Sequence, residues 1–521
     1  MHVHDYLLGD IMNKVTLAFL TYPFLSLTAL SKPMTATLML KEKVSVHNLA
    51  VQVFDENSDH FGSYYTPEEI KELSAPEDED YSNLIRTLKE LGFKISFESK
   101  THLVLSIKGD SSLFEKTFRT RIEFKNEFLH TNLSEAVIPE KLSLIESVIG
   151  LDNRHAFKPM HKKIIAAENL GDQPGILPQD IKRAYKLDPI YNMGITGKDQ
   201  HIAIATYMDF VLSDVTQYYN LINLSPLPKV DKVNFNGRPS YDADSASETA
   251  LDAEMSGMIA PGSRIHVFTS AENSQSGELA LFTAILDDNR SKIVNYSWGL
   301  CETYTSANQR FNMDKVFARA VAQGVNIFVA SGDSGSDSCD DGTNAADWPA
   351  IHPNVVAVGG TSVYLSTTGT KSERGWSGSG GGLSAHYSLP RWQSDFRSPF
   401  IRRSFPDVSF NADPATGQGI WVRSSLNGSP SWVQVGGTSM SAPQWAGILA
   451  LVNEGRKLKG MENLGFLNPI LYKASAYDKS QIFLDITTGK NGLYRAATGW
   501  DAVTGWGVPK GINMYDFLMT K

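Results

Sequence analysis

Val325-Asn326-Ile327-Phe328-Val329-Ala330-Ser331-Gly332-Asp333-Ser334-Gly335 is an apolar run that stops in small and polar residues. Val325–Val329 has the length and composition of a buried strand. The Ser-Gly-Asp-Ser-Gly segment therefore puts Asp333 at a strand's carboxyl end. A helical pattern at 309–323 leads into it, and the alternation extends in both directions. Ile202–Tyr207, Ile265–Phe268, Lys292–Trp298 and Val355–Val358 read as further strands, with helices at 248–259 and 276–287 between them. Such βαβα order predicts a mostly parallel sheet with helices on both faces. In sheets of this kind, reacting groups gather at the strands' carboxyl ends.

Two other stretches carry chemistry. In Gly436-Gly437-Thr438-Ser439-Met440-Ser441-Ala442-Pro443 a small-residue turn delivers Ser439 to the start of an apolar helix, Trp445 to Val452. Glycines clear the approach to such a hydroxyl, and free N–H groups at a helix start can hold developing negative charge. An isolated Gly-Thr-Ser is more often a helix cap. In helix 248–259, Glu248 and Asp252 are four apart and share a face, whereas Glu254 lies on another. If partly buried, that pair can share a proton and titrate together. A subtilisin-like triad would want a histidine near the start of this helix, in a His-Gly-Thr context; none of the twelve histidines lies in such a context, and Glu248 begins the helix there.

The chain has 521 residues, enough for two or more domains, and ordinary globular composition with 42% hydrophobic and 20% charged residues. A net charge of −9 argues against nucleic acid as a partner. Read from Met12, Lys14 precedes the apolar Val15–Leu20 and Phe24–Leu30, and Ala29-Leu30-Ser31 offers a small-residue exit. This is the pattern of a secretory signal peptide, with residues 1–31 as signal or extension. No other stretch is apolar enough for a membrane span. Residues 44–125 read as a separate unit of β-α-β-β-α-β order. Its strands are expected at Val46–Phe54, Phe93–Phe97, Leu103–Ile107 and Arg121–Phe124, with helices from Thr66, at Asp80–Leu91 and at Ser111–Phe118. Basic residues, glycine and proline between 158 and 180 read as an exposed linker open to proteolysis. Gly380-Gly381-Gly382 lacks a following Lys-Ser/Thr, so it is a close-packing segment and not a phosphate loop.

In their order, Glu248-x-x-x-Asp252, Ser297-Trp298-Gly299, Ser331-Gly332-Asp333-Ser334-Gly335 and Gly437-Thr438-Ser439 resemble the sedolisin, or serine-carboxyl peptidase, family. Residues 44–125 are similar to its prodomain. The resemblance implies a subtilisin-like α/β fold preceded by a ferredoxin-like α+β prodomain. The divisions would be prodomain 32–160, activation linker 161–180 and catalytic domain 181–521. It implies Ser439 as nucleophile, Glu248 as general base, Asp252 as its partner, protonated Asp333 as oxyanion donor, and Ser297, Trp298 and Gly299 as substrate-binding strand. The implied activity is that of a secreted, acid-active endopeptidase made as a self-processing zymogen. Its partners would be protein or peptide substrates and its own prodomain as inhibitor and chaperone. The chemistry is sound in acid, where a carboxylate remains ionised and a histidine does not stay neutral. The resemblance also implies one calcium ion near the C-terminus. Asp485 and Asp501 would give side-chain oxygens, and Ile486, Ala497 and Gly499 carbonyls, a hard donor set that suits calcium. Cys301 and Cys339 would then sit at one sheet edge, as a disulfide or as two buried thiols. A tripeptidyl aminopeptidase on the same fold, or an inactive peptidase-like binding protein, are the alternatives.

Overall fold

The computed structural model describes residues 31–55, 57–164, 173–366, 371–394, 400–474 and 476–521. The signal-like stretch through Leu30 lies outside them.

The catalytic part is built on an eight-stranded sheet. Along it run Lys229–Phe235, Arg264–Ser270, His201–Thr206, Ile293–Tyr296, Asn326–Ala330 and Val356–Leu365, all parallel. Lys371–Gly375 closes one side antiparallel, and Val408–Asn411 pairs parallel with Val356–Leu365. The inner strands are buried along nearly their whole length, as their apolar runs require of a sheet covered by helices, whereas Lys229–Phe235 and Lys371–Gly375 at its two sides are only partly buried. Helices flank it. Ala243–Ile259 packs on Thr438–Leu458, and Gly447 lets them approach closely, since a Cβ there would lie 2.6 Å from that of Ile259. Gln275–Asp288 and Ala307–Ala322 form a second packed pair. The helix carrying Glu248 begins five residues earlier than its sequence pattern suggests, because the Asp242 carboxylate caps it. Glu248 therefore lies in the second turn.

The N-terminal unit forms a four-stranded antiparallel sheet in the order Lys94–Glu98, Val104–Asp110, Pro33–Leu40, Ile145–Ile149. Ser111–Phe118 is a helix as expected, and Thr66 makes the capping box its sequence promises with Glu69. Two expectations are corrected. Val46–Phe54 is not a strand: Val46–Gln52 is a helix capped by Ser45, and Val46, Leu49, Ala50 and Val53 follow helical spacing on its buried face. The first strand is instead Pro33–Leu40. Ile122–Phe124 pairs only with His130–Asn132, and Ile145–Ile149 is the sheet's fourth strand.

One face of this unit has its own core, including Leu38, Leu84, Leu88, Leu105 and Phe114. Met39, Val46, Leu49 and Ile149 instead join the large core of the catalytic part. Polar contacts complete the junction. Thr37 and Ser276 hydroxyls lie 2.7 Å apart, and Ser147 Oγ donates to Asn312 Oδ1 at 2.6 Å.

Candidate active site

Three strand ends and one helix start converge on Ser439. Gly437 adopts φ 109°, a conformation that favours glycine, and Thr438–Leu458 begins directly after it. Ser439 is thus held at a helix N-terminus, buried, with its hydroxyl donating to Glu248 Oε2 at 2.9 Å. Asp252 lies one turn further along the Glu248 helix. Its Oδ1 accepts the Ser297 hydroxyl at 2.6 Å, and Ser297 Oγ in turn accepts from Asn295 Nδ2 at 3.1 Å. Glu248 Oε1 and Asp252 Oδ2 are buried without a hydrogen-bond partner. Burial raises both carboxyls well above the usual range, and Glu248 raises Asp252 further. Glu254, on its separate face, accepts the Trp421 N–H at 3.2 Å and stands outside this cluster.

Asp333 arrives from the end of Asn326–Ala330. Its Oδ1 accepts both the N–H and the hydroxyl of Thr438, at 2.8 and 3.0 Å. Its Oδ2 is buried and unpartnered. Burial pushes this carboxyl up to about 6, against the opposing pull of the Thr438 amide and of Lys162. The triple glycine packs against the same loop: a Cβ on Gly380 would lie 1.8 Å from the Ser331 carbonyl.

Of the stretch read as an exposed linker, residues 158–164 instead lie in the cleft, and residues 165–172 lie outside the described residues. Lys158 and Pro159 pair antiparallel with Gly299 and Trp298, and Lys162–Ile164 pairs antiparallel with Gln434–Gly436. A linker is exposed when its backbone has no partner, and here strands on both sides of the cleft supply partners. The Met160 N–H donates to the Ser297 carbonyl at 3.0 Å, and the Met160 carbonyl accepts the Ser439 N–H at 2.9 Å. A Cβ built on Gly437 would lie 2.5 Å from both that carbonyl oxygen and Asp333 Oδ2. The Met160 carbonyl is therefore bound where an oxyanion would form, between an amide and a free carboxyl oxygen. The bond after it is Met160–His161.

That arrangement decides the kind of protein. The chain belongs to the sedolisin–kumamolisin family of serine-carboxyl peptidases. Residues 243–507 match the Subtilase family, and residues 25–154 match the Pro-kumamolisin, activation domain. Kumamolisin of Bacillus sp. (strain MN-32) is 33% identical over 410 residues, covering 72% of this chain and 71% of its own. Sedolisin of Pseudomonas sp. (strain 101) is 29% identical over 509 residues, covering 90% and 84%. A solved Pseudomonas sedolisin complexed with two molecules of pseudo-iodotyrostatin superposes with a TM-score of 0.60 at 30% identity, over 67% of this chain and all of the other.

Two site residues of this peptidase are not legible in its sequence. Asp347 lies beside the Met160 side chain: a Cβ on Gly299 would meet Asp347 Oδ1 at 2.2 Å and Met160 Cε at 2.5 Å. Its Oδ2 accepts from Ser338, while Oδ1 is buried and unpartnered. His161 puts Nδ1 2.7 Å from Glu248 Oε2, and its Nε2 lies 3.0 Å from Ser247 Oγ. A histidine thus does reach Glu248, from the linker and not from the helix. Nothing in a lone Asp-Trp-Pro, or in a histidine within a basic run, signals these positions.

Cys301 and Cys339 are joined as a disulfide. Asp485 and Asp501 are tied to one loop: Asp485 Oδ2 accepts the Gly499 N–H at 2.8 Å, and Asp501 Oδ2 the Ala497 N–H at 3.0 Å. Among the described residues, no cluster of three or more His, Cys, Asp or Glu side chains could hold a metal ion. A calcium site here would rest on these two carboxylates plus carbonyls.

Proposed function

We propose that this serine-carboxyl endopeptidase is a zymogen that cuts its own linker at Met160–His161. The observation that carries this is the double anchoring of Met160, its N–H on Ser297 and its carbonyl on the Ser439 N–H. Ser439 Oγ attacks the Met160 carbonyl carbon while Glu248 takes its proton. The oxygen, now negative, is held by the Ser439 N–H and by a proton on Asp333 Oδ2. Collapse breaks the Met160–His161 bond, and Glu248 returns the proton to the leaving His161 amine. Water, deprotonated by Glu248, then attacks the acyl carbon and frees the Met160 carboxyl and Ser439. Asp252, fixed by Ser297, is coupled to Glu248 through charge, so the two carboxyls titrate as a pair. A neutral carboxyl can donate to the oxyanion, which a carboxylate cannot.

The strand order of residues 33–149 supports a ferredoxin-like prodomain, acting as inhibitor and chaperone of residues 181–521. The signal-like start supports secretion. Among the described residues no helix is long and apolar enough to cross a membrane. An endopeptidase is favoured over a tripeptidyl peptidase by the path of the chain. It continues beyond Lys158 to Phe157, whose N–H and carbonyl both bind the Asn273 amide group, at 2.8 and 2.9 Å. A cleft that stops after three residues has no use for that fourth anchor.

Product mapping on denatured protein in acid tests this reading. We expect cuts at interior bonds, most often after long side chains ending in a donor or a polarisable group, which Asp347 Oδ1 would meet. In Asp347→Ala the preference for arginine or lysine over leucine at that position should fall by about tenfold, the scale of one buried charged hydrogen bond. Release of tripeptides alone would favour the rival activity.

Asp485, Asp501 and the carbonyls of Ile486, Ala497 and Gly499 would hold one calcium ion, a donor set of hard oxygens. The ion would cross-link the loop following Phe483–Leu484 to the 497–501 loop. Protons compete with calcium for both carboxylates, so calcium affinity should weaken in acid. Calcium at 100 times its Kd stabilises by about 2.7 kcal/mol. Chelator should therefore lower Tm by several degrees at neutral pH. An unchanged Tm would place the ion elsewhere.

A further inference from the structure

We propose that the primed side of the cleft carries an imidazole site, formed by Glu248 Oε2 and Ser247 Oγ, and that His161 seated in it makes the linker an inhibitor as well as a substrate. This rests on Met160–His161 being the bond presented to Ser439. The ring is almost fully buried, with 5% of the side chain exposed, and both its nitrogens are engaged.

A proton inventory shows what the contact does. Ser247 has one hydroxyl proton, and the Asp244 carbonyl claims it at 2.5 Å. His161 Nε2 must then be the donor towards Ser247 Oγ. In the neutral ring the lone pair is left on Nδ1, so the 2.7 Å contact needs a proton on Glu248 Oε2. That is the oxygen which Ser439 Oγ reaches at 2.9 Å. A base that already holds a proton cannot take the one on serine. Moving that proton to Nδ1 does not free the base, because an imidazolium against the carboxylate lowers its basicity. Burial favours the first arrangement, raising Glu248 and lowering His161 to about 4.

The charged groups around the ring are Glu248 with Asp252 behind it, Asp244 and Asp333 on the acidic side, and Lys163 and Lys162 on the basic side. Lys163 is held by Asp244 at 2.8 Å, and Lys162 by the Asp333 carbonyl at 2.6 Å. One further proton would set an imidazolium donor against a carboxylic acid donor. The ring would then leave for water, and Glu248, no longer held by it, would become a base once it gives its proton to the solvent that replaces the ring. Acid thus releases the site, and a residue without a ring nitrogen never occupies it in this way.

The test uses matured enzyme, a denatured reporter protein and two peptides. One is Lys-Pro-Met-His-Lys-Lys, matching residues 158–163, and the other carries Phe in place of His161. At pH 5 the histidine peptide should inhibit at least tenfold more tightly, and the ratio should shrink towards pH 3. In the full chain, His161→Phe should mature at least tenfold faster at pH 5. Equal inhibition by both peptides, with reporter turnover intact, would overturn the imidazole site and leave the peptidase reading standing. Absence of any reporter turnover would instead remove the peptidase reading on which it rests.

Discussion

Ser439→Ala is expected to accumulate as a folded, full-length chain with turnover reduced by about 10⁴–10⁶-fold, the range seen when a triad nucleophile is removed. The substitution removes one buried oxygen whose partners are Glu248 Oε2 and, at 3.4 Å, the Ser297 carbonyl. Its N–H remains, so the Met160 carbonyl stays bound and the linker keeps its strand pairing on both sides. The cost to stability is small because Glu248 is raised well above the usual range by burial and keeps its contact with His161. Mass spectrometry of the acid-incubated variant checks the outcome. Normal maturation of purified Ser439→Ala would take the nucleophile's role from this residue.

Asp333 should give the second largest effect. The oxyanion-donor role proposed for it needs a proton, and its carboxyl is raised to about 6 by burial. The sign follows directly. Below that value the proton is present and Oδ2 can donate; as pH rises through it, a carboxylate faces the forming oxyanion and turnover falls. The acidic limb belongs to the Glu248–Asp252 pair, which must give up a proton for Glu248 to act as base, and its apparent value is shared. Asp333→Ala removes the donor and should cost ~10²–10³-fold in kcat. Asp333→Asn keeps a neutral donor at every pH. If its amide nitrogen takes the Oδ2 position, leaving oxygen to accept from Thr438, it should retain more activity than alanine. Its neutral-side limb should also move upward. Profiles of kcat/KM against pH for both variants decide this. Wild-type profiles at near-normal rates in both would remove Asp333 from the chemistry.

Much of this was legible in the chain because the decisive patterns are local. Val325–Val329 followed by Ser331–Gly335 marks a strand end, and Ser111–Phe118 and the Thr66 capping box are stated by neighbouring residues alone. Glu248 and Asp252 share a face by helical spacing. Val46–Phe54 reads as a strand because a short apolar run fits either period, and packing of Val46–Gln52 against Ala307–Ala322 decides for the helix. The linker was misread for a different reason. Its strand character comes from partners at Trp298–Gly299 and Gln434–Gly436, more than a hundred residues away in sequence. Asp347 and His161 share that origin. Each has a role only because the fold places it beside Met160 or Glu248.

On the proposed reading, the zymogen presents one bond of its linker, Met160–His161, to Ser439. N-terminal sequencing of wild-type protein after brief acid incubation tests it most directly. A first new terminus at His161 is expected, absent from Ser439→Ala under the same conditions. A first terminus elsewhere, or a chain that stays intact while fully active, would contradict it.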